Sequence, residues 1–190
     1  QDPFWDRAAE VLLTCIISFL WKYRPKEEQT LESIYKLIGC CRLDEGNDQE
    51  KTPFDRIMES VGAKEPQSFT YKQYLKFRVG AVRTMKSILI TLTTKLGKYD
   101  CREISRMLAY DELDIASVGH KRTAIFVTVS DTDRSMDDLA NIFFTQAMNE
   151  LCYEADHHCR GHRLPLDVRF IMDDFATNCR INEFPRMISG

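Results

Sequence analysis

No acidic residue occurs between Gln67 and Tyr99, although that stretch carries Lys72, Lys76, Arg78, Arg83, Lys86, Lys95 and Lys98. Its charge must therefore be met by other segments of the chain or by a partner. Also missing is any G-x-x-x-x-G-K-[ST] loop, whose backbone amides cradle phosphates and whose hydroxyl ligates magnesium. Gly80 ahead of Arg83-Thr84 and Gly39 ahead of Cys40-Cys41 give the wrong spacing. That absence excludes ATP hydrolysis by these residues alone. Long apolar runs are absent too, since the longest, Val11 to Trp21, is broken by Thr14 and Ser18 and is too short to span a bilayer. No signal peptide is expected, and there is no internal repeat or low-complexity tract. Seven cysteines, an odd number that includes the adjacent Cys40 and Cys41, do not make a paired extracellular framework, so a reducing cytoplasmic setting is expected.

What is present is enough to build a core, with 190 residues of which 44% are hydrophobic. The chain opens on Gln1-Asp2-Pro3 without an initiator Met, and is expected to have been excised from something longer. Asp2 and Pro3 start a helix in which Ala8, Val11, Leu12, Cys15, Ile16, Phe19, Leu20 and Tyr23 recur at helical spacing, and Pro25 stops it. A second helix is expected from Thr30 to about Ile38, followed by a polar loop from Arg42 to Lys51. Thr52-Pro53-Phe54-Asp55 forms a capping box, and Gly62 is expected to close the helix it opens. The longest helix is expected to run unbroken from about Ser68 to Lys98, and a shorter one from Asp100 to near Tyr110.

After Gly119 the pattern changes. Thr123-Ala124-Ile125-Phe126-Val127-Thr128-Val129 is β-branched and aromatic and predicts a buried strand. A helix capped by Ser135-Met136-Asp137-Asp138 and running to about Ala155, then a strand over Val168–Met172, completes a βαβ unit. The expected fold is therefore an all-alpha domain over residues 1–116 and a partial α/β domain over 117–190.

In a parallel sheet, ligands bind beyond the carboxyl ends of the strands, where Asp131, Asp133, Asp173 and Asp174 fall. Asp173-Asp174 directly follows the second strand, where one carboxylate orders magnesium and the next polarises the attacking water. A turn or helix cap is the bland account of the same pair, and of Asp131-Thr132-Asp133.

The acid-free stretch says more. Without its cations the remaining chain has 19 basic and 29 acidic residues, so it is an island of positive charge in a molecule of net charge −3. On a continuous helix Lys72, Lys76, Arg83 and Lys86 fall within about 80° of one another, a stripe suited to a phosphate backbone. Tyr71, Tyr74 and Phe77, interleaved with it, suit stacking on unpaired bases. The alternative is a solvated face, or one that docks protein without touching DNA. Cys152, His157, His158, Cys159 and His162 have zinc-binding chemistry, but without a C-x-x-C knuckle a solvated His-rich loop is the better account, and no metal site is assigned. No cysteine sits in a nucleophile elbow.

Several of these segments together resemble the type IV secretion coupling proteins, the TraG-like ATPases of conjugative DNA transfer. The resemblance spans almost the whole chain: Asp2-Pro3-Phe4-Trp5, Val79-Gly80-Ala81 leading to Lys86-Ser87-Ile88-Leu89, Lys121 to Phe126 with Ser130 to Asp133, and Arg163-Leu164-Pro165 with Val168-Arg169-Phe170 and Asp173-Asp174-Phe175-Ala176. The last group resembles the Walker B segment and is the most specific. The resemblance implies a RecA-like homohexameric ATPase at the cytosolic face of the bacterial inner membrane, with an all-alpha domain that recognises a relaxase, DNA or a secreted protein. ATP and magnesium belong to that intact motor, and this chain alone is expected to hold no cofactor and show no activity. Asp173 would support magnesium. Asp174 stands where the family usually has Glu, which draws the carboxylate back by about one methylene.

Overall fold

Apolar residues at helical spacing build α1 (Pro3–Tyr23), which buries Leu12, Cys15, Ile16, Phe19 and Leu20 on one face. Pro25 follows directly and starts a 3-10 turn, Lys26–Glu28. The computed structural model describes residues 3–42, 51–80, 82–130 and 132–173, so the cap expected at Asp2 lies outside the described residues. The chain divides into two units, Gln1–Tyr110 and Asp111–Gly190.

In the first unit, α2 (Leu31–Cys40) starts at Thr30, whose hydroxyl accepts from the Ser33 amide. The Tyr35 hydroxyl then donates to the carbonyl of Leu96 at 2.7 Å, supplying a partner to a carbonyl at the far end of α5 (Val82–Leu96). The capping box opens α3 (Pro53–Lys64): Thr52 N–H donates to Asp55 Oδ2 at 2.9 Å, and Asp55 N–H to Thr52 Oγ1 at 3.1 Å. Asp55 is only 2% exposed, and its second oxygen accepts from the Tyr74 hydroxyl at 2.9 Å and lies 3.4 Å from Arg78 Nε. Burial first, and the bond to Asp55 second, push the Tyr74 phenol up. One short carboxylate thus ties the start of α3 to α4 (Phe69–Arg78).

Gly62 does not close α3. The helix continues to Lys64, because Gly62 is buried where the Tyr71 ring lies against the backbone, and a Cβ there would come within 2.4 Å of that ring. Helix α1 packs against α4 and α5, α2 bridges α1 and α3, and α3 meets α4. Leu12 and Ile16, Phe54 and Met58, Tyr74 and Phe77, and Ile88 and Leu92 form one continuous core from these helices. A short α6 (Arg102–Met107) completes the unit.

The single helix expected from Ser68 to Lys98 is two helices. α4 ends at Arg78, and α5 starts at Val82. β-branched Val79 and Gly80, the latter costing about 1 kcal/mol relative to Ala inside a helix, supply the weak point, and packing of both arms on α1 fixes the break.

The second unit contains α7 (Asp137–His158) with 3-10 turns at Ile115–Gly119 and Arg160–His162 packed against it. The partial α/β fold expected here is not observed. The described residues form seven α-helices and no strand, and Thr123–Val129 and Val168–Met172 carry no sheet pairing. The physical reason is coverage: parallel strands need both faces buried and more than one neighbour, yet Phe126 is 92% and Ile171 91% exposed. β-branched composition supplies the propensity for a strand but not its partners.

Candidate nucleic-acid interface

The cations singled out in the sequence occupy two helices. Lys72 and Lys76 are one turn apart on α4 and both exposed; Arg83, exposed, and Lys86, half-buried, are one turn apart on α5. Because the helix breaks between them, the phase calculated for one continuous stripe does not carry across. The result is two cationic pairs. Among the described residues Lys72 and Arg83 have no ion-pair partner, while Lys76 Nζ lies 3.4 Å from the neutral Gln73 Oε1.

Other cations of the acid-free stretch serve the fold. Arg78 meets Asp55, and Lys95 Nζ lies 3.0 Å from Asp6 Oδ1, an ion pair without the alignment of a hydrogen bond that links α5 to α1. The Lys98 ammonium lies over the Tyr99 ring, 5.0 Å from its centroid.

The aromatic residues expected to stack on bases are unavailable. Tyr74 and Phe77 are buried in the core, and Tyr71 stacks on Tyr74 at 5.8 Å while its ring covers Gly62. Residues three and four apart along α4 face the same way, and that face was needed for α1 and α3. Sequence reasoning missed the exposed apolar groups that remain. Val79, at the break, is 86% exposed and lines a cleft with Phe4 and Arg7 of α1, Lys76 of α4 and Thr84 of α5. Exposed Val79 was signalled only by the glycine that follows it.

In the second unit Asp173 is exposed in a turn after a segment without sheet pairing, and Asp174 lies outside the described residues. The strand that would aim Asp173, and a phosphate-binding loop, are both missing among the described residues. Asp133 accepts from the Ser135 amide at 3.0 Å, a bond that holds its carboxyl below the usual range; Asp131 lies outside the described residues. Of the His-rich group, His157 stacks on Tyr153 with ring centroids 4.1 Å apart, His162 Nδ1 lies 3.0 Å from the Asp156 carbonyl, and His158 turns to Glu154.

The first unit is thus an all-helical domain with a cationic helix pair beside an apolar cleft. A family model described as Type IV secretory system Conjugative DNA transfer matches residues 1–188, and the chain belongs to that family of coupling proteins. Membership associates it with the type IV secretion machinery and the substrates that machinery moves. No curated protein and no solved structure gave a match. Among the described residues no helix is long and apolar enough to cross a membrane.

Proposed function

We propose that the helical unit is the substrate-recognition part of a type IV secretion coupling ATPase acting in conjugative DNA transfer, and that Lys72, Lys76, Arg83 and Lys86 engage the anionic substrate. The observation that supports this most is an acid-free pair of helices in a net-negative chain, with Lys72 and Arg83 exposed and lacking an ion-pair partner among the described residues. Because Tyr74 and Phe77 are buried, contact with DNA would be to phosphates, with little preference for bases. In the intact motor, a homohexamer at the cytosolic face of the inner membrane, Asp173 and Asp174 would serve magnesium and ATP supplied by a complete nucleotide site.

A second reading, a protein-docking module that never touches DNA, is favoured by the cleft around Val79. Exposed apolar groups flanked by Arg7 and Lys76 suit an acidic, amphipathic segment of a relaxase or secreted protein. Fluorescence anisotropy of a labelled single-stranded oligonucleotide separates the two. The DNA reading expects binding by the chain that is lost in Lys72/Lys76/Arg83/Lys86→Glu. Absence of binding by the unaltered chain would overturn it, and loss of relaxase capture in the same variant would then establish protein docking.

A further inference from the structure

The second unit brings three separate pieces of chain to one point. His120 follows the 3-10 turn Ile115–Gly119, Glu154 lies on the last turns of α7, and Cys159 ends that helix. His120 Nε2 is 3.0 Å from Glu154 Oε1 and 3.9 Å from Cys159 Sγ, across sequence separations of 34 and 39 residues. One donor atom from each residue lies within 4.8 Å of the other two.

The backbone fixes this meeting. Gly119 is buried against Leu164, where a Cβ would fall 2.6 Å from Leu164 Cδ2, and Leu166 N–H donates to the Gly119 carbonyl at 3.0 Å. The turn carrying His120 is thereby pinned to the segment that follows Cys159. Glu154 is held from its other side by His158 Nδ1, 2.6 Å from Oε2. That bond first, and the contact with His120 after it, hold the Glu154 carboxyl below its usual range.

We propose that His120, Glu154 and Cys159 bind a zinc ion through Nε2, Oε1 and Sγ, with His158 orienting the carboxylate through Oε2. Zinc is the metal that suits one imidazole, one carboxylate and one thiolate together. Tetrahedral zinc with ordinary bond lengths sets its nitrogen and oxygen ligands about 3.3 Å apart and its nitrogen and sulfur ligands about 3.6 Å apart. The 3.0 and 3.9 Å observed lie within a few tenths of an ångström of those values for the two pairs that His120 makes, and the Glu154 and Cys159 donor atoms lie within 4.8 Å of each other. His120, His158 and Cys159 line a pocket together with Arg160, Arg163, Pro165 and Asp167, which would leave room for a water as fourth ligand.

Among the described residues of this unit Gly119, Ala140, Ala147 and Leu151 are buried. A metal joining the first turn, the end of α7 and the following segment acts as a staple, and its binding energy becomes folding energy. The site is not the Cys152, His157, His158, Cys159 and His162 group, which the sequence reading set aside in favour of a solvated loop. Cys152 is exposed, and His157 and His162 are engaged with Tyr153 and Asp156, which leaves only His158 and Cys159 of that group at the site.

The test is zinc stoichiometry and affinity of the full chain, by elemental analysis after dialysis and by competition with a chromophoric chelator, together with the absorption spectrum of the cobalt(II)-loaded chain. We expect one zinc per chain and a thiolate-to-cobalt charge-transfer band. His120→Ala and Cys159→Ser should each weaken zinc by at least 100-fold and His158→Ala by about 10-fold, as for a residue holding a ligand in place. His157→Ala and His162→Ala should change nothing. Less than about a tenth of a zinc per chain, or a cobalt spectrum without the thiolate band, overturns the site. So does loss of zinc in His157→Ala or His162→Ala equal to that in His120→Ala. The cobalt spectrum is read on the unaltered chain, so it decides the matter even where a variant misfolds.

Discussion

The two units are alike in size class and opposite in construction. Among the described residues, five helices of the first share one core in which Leu12, Cys15, Ile16, Phe54 and Met58 are fully enclosed, whereas one long helix of the second buries three side chains and large apolar residues face solvent. The difference shows what apolar composition alone does. A helix brings its own backbone partners and needs only one covered face, so amphipathic segments find one another within the first unit. A strand must borrow its partners, and Thr123–Val129 has none among the described residues.

The sharpest way to break this comparison is to truncate one phenylalanine in each unit. Phe54→Ala should cost about 3–5 kcal/mol in urea unfolding, because the ring is fully enclosed, whereas Phe126→Ala should change stability by less than about 0.5 kcal/mol. Equal effects would mean that Phe126 is packed in solution. Asp55→Ala should come next, at about 3 kcal/mol. It removes the α3 cap and leaves the Tyr74 hydroxyl buried without its acceptor; Tyr74→Phe should recover less than half of that loss when both changes are combined. Gly62→Ala should cost about 1–3 kcal/mol by forcing the Tyr71 ring off α3, and Gly62→Ala with Tyr71→Ala should relieve the clash.

The smallest effect depends on pH. Burial pushes the Cys15 thiol up to about 12, from an ordinary value of 9.0, beside Met58 Sδ and the Thr70 carbonyl. Above about pH 9 the unfolded chain ionises this thiol while the folded chain keeps it protonated, so the contribution is complete below pH 9 and falls as pH rises towards 12. The folded state should lose about 1 kcal/mol more between pH 8 and pH 10 in the unaltered chain than in Cys15→Ala. Identical slopes would show Cys15 to be solvated.

Local signals in the sequence are legible where a single segment contains its own reason. The Thr52–Asp55 box, the Thr30 cap and the stop at Pro25 each involve neighbours in the chain. What depends on distant partners is not. The break after Arg78 follows from two arms packing on α1, and Gly62 sits inside α3 because of a ring on the next helix. The cationic residues stand out through the lack of acids, but the same segment's aromatic rings are taken up by the core. His120 gives no signal, since its meeting with Glu154 is made by Gly119 and Leu164.

The central claim is that two cationic pairs, one on each arm of the broken helix, contact an anionic substrate. Its most direct test is the salt dependence of single-stranded DNA binding by the chain, by Lys72/Lys76→Glu and by Arg83/Lys86→Glu. With about four phosphate contacts, affinity should fall about 50-fold between about 50 and 200 mM salt, and each double variant should lose about half of the logarithmic slope. A slope near zero in the unaltered chain, or a slope unchanged in both variants, would contradict the account.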